Sequence, residues 1–412
     1  MTETTPLLTR SLPEKKRNYL PWLLALLAVL ALGVTLWNPF NSTLNQVLFD
    51  IDDNVSLDSF PEADFKLSNL RMSKFRITPS TINEFAMNCK GYAACNVTVS
   101  FENVQKIVVT YLIQSNDKNA LDYIKFYETV DQQTFTVNVL SPKEQELPKK
   151  HNRAQVLVHI VVPEVYFPNF VMDADRGLLE WNGISYKMDY FHAIIHYGDM
   201  NIRNIHTNTF DMSTTASGIN ITNLIAKKDI NIHSQFGKIL LHDAKATEVN
   251  LSTQSGFIQT GNVLSKDTLK LTNEYGRIDF NGGMSEDSEY GSVDIQSKAG
   301  SIHGLLTGYR DFKAQLGFGK MDMILEPKSD FNTNTNLQAT GGSIKSQVIN
   351  FVGNFDTQSN FGRVNCTGIN LHITEESDKT SVGGYQIGYV LEADKSNFKA
   401  VTDKGVVQIH FQ

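Results

Sequence analysis

From residue 166 to residue 412 the chain repeats one short pattern of apolar and polar positions. Two apolar residues stand at alternate positions, four spacers follow, then a glycine, one more spacer and a further apolar residue. Phe170/Met172, Gly177 and Leu179 make one instance, and Leu269/Leu271, Gly276 and Ile278 another. Twelve glycines from Gly177 to Gly405 keep this beat at intervals of 19 to 24 residues, and only Gly218 and Gly384 have their apolar partners displaced. Alternation with period two marks strands that bury one face. A glycine between two such short strands suits a tight corner that needs positive φ. The pattern therefore predicts an all-β protein, a parallel β-solenoid of about twelve coils of ~20 residues, stacked about 4.8 Å apart. The rival architecture is an antiparallel sandwich, but the two-residue Asn-Gly and Asp-Gly turns of matched hairpins are nearly absent. Residues 38–90 read as a juxtamembrane or cap segment, and residues 91–165 as a β-rich cap or the first coils.

The frame sorts the side chains that flank it. Asn54, Asn96, Asn220, Asn250 and Asn365 each begin an N-x-[ST] triplet and are the candidate glycosylation sites, while Asn41 follows the apolar span too closely. Asn220, Asn250 and Asn365 each sit between two apolar residues, so they point outward if their neighbours point inward. Cys366 is then inward, a small buried hydrophobe. Three cysteines cannot supply a disulfide framework. Cys89 and Cys95 enclose five residues and can close a local disulfide in an oxidising compartment; the alternative is two free thiols.

Residues 1–18 form a tail and residues 19–37, YLPWLLALLAVLALGVTLW, carry no charge. As a helix the run spans roughly 28 Å, enough for a signal anchor and more than a cleaved leader needs. Arg10, Lys15, Lys16 and Arg17 precede it and the first basic residue beyond is Lys66. The positive-inside rule then gives a single-pass type II protein with a cytosolic N-terminus and the bilayer as partner of residues 19–37. Glu3, Leu7 and Leu8 match the acidic dileucine form read by clathrin-adaptor complexes. The expected localisation is accordingly the vacuolar or endosomal membrane, or the plasma membrane.

Composition adds mainly exclusions. A net charge of −7 with no basic block beyond the N-terminus excludes a nucleic-acid partner. No phosphate loop, nucleophile elbow, zinc-protease helix or paired-cysteine motif is present, so neither enzymatic activity nor a cofactor is expected. One constellation emerges from the repeat alone. Asp279, His303 and Asp322 stand three residues past successive glycines, beside Arg277, Ser301 and Lys320. They define the alternative reading, a polysaccharide-active β-helix enzyme, although acids two coils apart are about 10 Å from each other. Phe236, Tyr275, Phe318 and Phe361 precede glycines; stacking on the aromatic residue of the neighbouring coil is the expectation, stacking on sugars the alternative.

The block VLVHIVVPEVYFPNF (156–170), with coils of the type DINIHSQFGKILL (229–241) and DTLKLTNEYGRIDF (267–280), resembles the adhesin-like β-solenoid family of bacterial and fungal membrane proteins. The resemblance covers roughly residues 95–412, and the short-tailed anchor resembles the fungal members. It implies the fold and a surface or lumenal setting, and no chemistry. The expected function is a non-enzymatic binding or adhesion surface for a glycan or a protein.

Overall fold

The computed structural model describes the chain from residue 71 onward, apart from 78–81, 116–117, 132, 143–153, 165–167, 286–287, 289–290, 329–330, 378–382 and 394. Glu3, Leu7, Leu8, Asn41, Asn54 and residues 19–37 lie outside the described residues. All the strands belong to one hydrogen-bonded sheet that winds through successive coils.

The N-terminal end is built from β1 (Arg71–Ile77), β2 (Glu84–Lys90), β3 (Ala94–Glu102), β4 (Ile107–Ser115), helix α1 (Lys118–Tyr123), β5 (Lys125–Asp131), β6 (Thr134–Leu140) and β7 (Ala154–Pro163). Strands β2 and β3 make one coil, so residue 90, where a division is expected, falls at its corner. That coil is parallel to β6 and β7 on one side and to the start of β8 (Asn169–Tyr197) on the other. It is thus held between two coils that both follow it in the sequence. Beyond it, β5 pairs antiparallel with β6, β4 with β7, and β1 with β4. Antiparallel partners here cover an edge that would otherwise accept another coil.

The body continues through β9 (Met200–Ala216), β10 (Ile219–Met284), β11 (Ser292–Tyr309), β12 (Asp311–Pro327) and β13 (Asn334–Val348), all in parallel register. Like sits on like: Leu269 on Val293 on Phe312, and Ile278 on Ile302 on Met321 on Ile344. All seven are at most 2% exposed. Burying each such side chain contributes about 1.5–3 kcal/mol, which one isolated coil could not collect. At the first apolar position, Phe135, Phe85, Phe170, Phe191 and Phe210 form a column with centroids 5.8, 6.3, 5.2 and 5.0 Å apart. Such pairs contribute about 0.5–1.5 kcal/mol beyond the area they bury. Thr335 interrupts the same column further on, and the buried Tyr309 hydroxyl shares a 3.0 Å hydrogen bond with it. Burial pushes that phenol above its ordinary pKa.

The C-terminal end mirrors the first. It comprises β14 (Gly353–Phe361), β15 (Val364–Gly368), β16 (Leu371–Glu376), β17 (Gly384–Val390), β18 (Ser396–Lys404) and β19 (Val407–Phe411). Strands β18 and β19, last in the sequence, lie parallel between β13 and the β14–β15 coil. Strands β17 and β16 then close the end in antiparallel pairing. Phe351, Phe355, Phe398 and Phe411 pack together inside this end.

Two expectations need correction. The localisation, a single-pass protein of the vacuolar, endosomal or plasma membrane, does not stand, because among the described residues no helix is long and apolar enough to cross a membrane. The frame is also corrected at two glycines. Ser217 takes the corner place expected of Gly218, and Gly384 lies in the antiparallel strand β17 rather than at a corner.

Candidate functional site

The glycine corner is a backbone ladder. A Cβ on Gly198 would strike the carbonyl oxygen of Gly177, one on Gly237 that of Ser217, and so on through Gly256, Gly276, Gly300, Gly319 and Gly342. The final contacts run from Gly405 to Gly342 and from Gly362 to Gly405, which repeats the out-of-order insertion of the last coil. At the N-terminal start of this ladder, Gly177 abuts Cys95. Cys95 is joined to Cys89 in a disulfide with a Cα–Cα distance of 6.2 Å, across a corner wider than those that follow. Lys90 meets Asp173 at 2.6 Å and the Gly91 amide donates to Asp175 at 2.8 Å, tying this corner to the next coil.

The residue just before each ladder position points out from this corner. In spatial order the described residues are Arg176, Tyr197, Ala216, Phe236, Ser255, Tyr275, Ala299, Phe318, Gly341, Lys404 and Phe361. From Tyr197 to Gly341, rings therefore alternate with small side chains. The five rings are 42–64% exposed, which is far from the burial of a core aromatic. This corrects the expectation that Phe236, Tyr275, Phe318 and Phe361 stack on aromatic neighbours. Adjacent coils carry Ser, Ala and Gly at that place, and rings two coils apart stand about 9–10 Å from each other, beyond the reach of a ring pair. Phe318 instead lies across Gly341, where a Cβ would come within 2.7 Å of its ring.

Past the corner, Asp279, His303 and Asp322 occupy one ladder of directly paired positions, as do Arg277, Ser301 and Lys320. The Asp279 carboxylate accepts from Arg277 Nε at 2.5 Å. Before the corner, Lys298 pairs with Glu274 at 2.8 Å, and hydrogen bonding to that carboxylate holds the ammonium above its ordinary pKa. Among the described residues no group of three or more His, Cys, Asp or Glu side chains converges to hold a metal ion.

A second corner was missed in the sequence. Asn204, Asn223, Asp243 and Asn262 all adopt φ of 51–58°. Their side chains form a partial ladder, Asn223 donating to Asn204 at 2.7 Å and Asn262 to Asp243 at 3.0 Å. The signal is an Asn or Asp followed by an apolar residue at intervals of 19, 20 and 19. On an adjoining strand face, His192, Asp211, Asn231, His233, Asn250 and Ser252 line a shallow depression of about 240 Å³. Its polar groups bond each other: Asn231 to Asp211 at 2.8 Å, Asn250 to Asn231 at 3.0 Å and His233 to Ser252 at 2.9 Å.

The candidate glycosylation residues Asn96, Asn220 and Asn250 are half-buried on outer faces, and Asn365 is exposed. The amide of Asn250 is already engaged in the depression. Cys366 faces inward, beside Thr357 at 3.2 Å, and burial pushes its thiol up to about 11.

The chain belongs to the Toastrack DUF4097 family, whose model matches residues 92–368. No curated protein matches it. Among solved structures it is similar to a candidate cell-adhesion protein from Clostridium sporogenes, at 8% identity over 84% of this chain and 100% of that one, with a TM-score of 0.19. A candidate adhesin from Bacteroides fragilis matches at 11% over 84% and 98%, with a TM-score of 0.28. Another from Parabacteroides distasonis matches at 9% over 83% and 97%, with a TM-score of 0.33.

Proposed function

We propose that this chain is a non-enzymatic recognition module whose binding surface is the ridge of exposed rings along the glycine corner. The observation that carries it is the ridge itself: Tyr197, Phe236, Tyr275, Phe318 and Phe361 are aligned, exposed and separated by small residues or by Lys404. A soluble surface rarely keeps large apolar groups in a row without a partner to cover them. The rigid sheet beneath costs little further ordering on contact, so the rings meet a ligand preorganised. No compartment or anchorage is part of this reading.

The test is adhesion of the purified chain to intact cells and cell-envelope material, with Phe236, Tyr275, Phe318 and Phe361 all changed to Ala. Being exposed, these substitutions leave the thermal transition within about 0.5 kcal/mol per site of the parent. Binding by the parent and its loss in the variant supports the reading; equal binding by both removes the ridge from it. The enzymatic alternative has one favourable observation, the alignment of Asp279, His303 and Asp322 on adjacent coils. Against it, Asp279 is engaged by Arg277. Polysaccharide turnover by the parent that disappears in Asp279→Asn, with the fold retained, would establish it.

A further inference from the structure

Four of the five ridge rings are accompanied by a cation, while the first, Tyr197-Gly198-Asp199, is followed by an acid instead. Phe236-Gly-Lys238, Tyr275-Gly-Arg277, Phe318-Gly-Lys320 and Phe361-Gly-Arg363 each place a cation two residues past an exposed aromatic. The coils between them read Ser255-Gly-Phe257, Ala299-Gly-Ser301, Gly341-Gly-Ser343 and Lys404-Gly-Val406, without a ring before the glycine or a cation after it. Two residues past each cation come Leu240, Asp279, Asp322 and Asn365. Three of the four units thus offer a flat ring, a donor and an acceptor in the same order. The first three repeat every second coil, about 9–10 Å apart along the axis. The fourth follows after one further coil, that of Lys404 and Gly405.

We infer that these units are successive subsites for one linear, uncharged polysaccharide chain laid along the solenoid axis, each ring stacking on the apolar face of a sugar. The inference rests on the recognition reading above and names its ligand. The interval of two coils is about that of a disaccharide step in an extended, equatorially linked glycan, so alternate sugars present the same face to successive rings. Hydroxyl groups both donate and accept, which calls for the mixed set of Arg or Lys with Asp or Asn rather than for cations alone. The charges also argue against a polyanion. Arg277 is matched by Asp279, Lys298 by Glu274, and a phosphate or sulfate polymer would lie against Asp279 and Asp322 on a chain of net charge −7. A bilayer surface would accept the rings and cations but would desolvate those same carboxylates.

The experiment titrates the full chain with β-linked gluco-, manno- and xylo-oligosaccharides of increasing length. Oligouronates, single-stranded DNA and vesicles containing an anionic phospholipid serve as competitors in class. The expected result is binding by at least one neutral series, with affinity rising as the oligomer becomes long enough to reach a second and a third ring. Higher ionic strength leaves it within about twofold. Tyr275→Ala or Phe318→Ala weakens it by about three- to tenfold each. A phase variant, Phe318→Ala combined with Ala299→Phe, keeps the number of rings but moves one by a single coil, and loses as much as Phe318→Ala alone. Equal affinity in the phase variant overturns the subsite spacing. Binding of oligouronate, DNA or vesicles in place of the neutral series overturns the ligand class and leaves the ridge as a recognition surface. No binding to any neutral series, with ring-dependent adhesion to cells intact, overturns this inference alone; adhesion that ignores the rings overturns the recognition reading as well.

Discussion

The solenoid turns its chain at two kinds of corner, and they solve one problem by opposite means. At the glycine corner the coils approach so closely that a side chain would collide with the carbonyl of the coil before, so the side chain is dispensed with. At the Asn/Asp corner the chain also takes left-handed φ, but a short amide or carboxylate stays and bonds across coils. Asn and Asp tolerate this conformation better than other residues with a Cβ. The difference shows why the two corners have different uses. The amide corner spends part of its polar groups on bonds between coils. The glycine corner, Ser217 apart, has no side chain of its own, and the exposed rings and cations are found on either side of it.

The sharpest way to break the comparison is a methyl group. Gly300→Ala places a Cβ against the Gly276 carbonyl at φ 142°, so the coils must part. A destabilisation of ~3 kcal/mol or more is expected in denaturant unfolding, and a loss under 1 kcal/mol would show the corner to be compliant. The disulfide comes next. Replacing Cys89 and Cys95 by Ser frees a closed loop of a few residues, with an expected loss of about 2 kcal/mol read from the same transitions. If reduction leaves the midpoint unmoved, the wider first corner is held by Lys90, Asp173 and Asp175 instead. The smallest effect belongs to the other corner. Asn223→Ala removes the ladder bond and the tolerance for φ 58°, at about 1–2 kcal/mol, whereas Asn223→Gly keeps the backbone and costs less. Equal losses in the two variants would mean that the amide bond, not the conformation, decides that corner.

Most of the coil was legible because each position obeys one local rule. Leu269, Leu271 and Ile278 follow the apolar template and are all buried, and ten of the twelve glycines stand on the ladder. Ser217 was not legible in place of Gly218, because its corner does not require positive φ and the neighbouring glycine fits the spacing equally well. Gly384 shows the other limit, since a periodic spacing says nothing of strand direction. The order of the coils was hidden for a related reason. Phe398 follows the same template as Phe312, and nothing local says that its coil lies between β13 and β14. The ridge was half legible: its rings were visible, but their separation by Ser255, Ala299 and Gly341 needs the register between coils, where a one-residue error changes the neighbour.

The out-of-order coils at the two ends have a mechanical consequence. In a solenoid wound strictly in sequence, the terminal coil has one neighbour and a pull on the chain peels it away, one bond row at a time. Here β2–β3 and β18–β19 are gripped on both sides, so tension entering through either coil must slide it against two partners at once. Force is then carried in shear by many hydrogen bonds together, and rupture should come late and abruptly rather than as a graded unwinding. A rod built this way is suited to bearing load at its ends while its ridge stays in register.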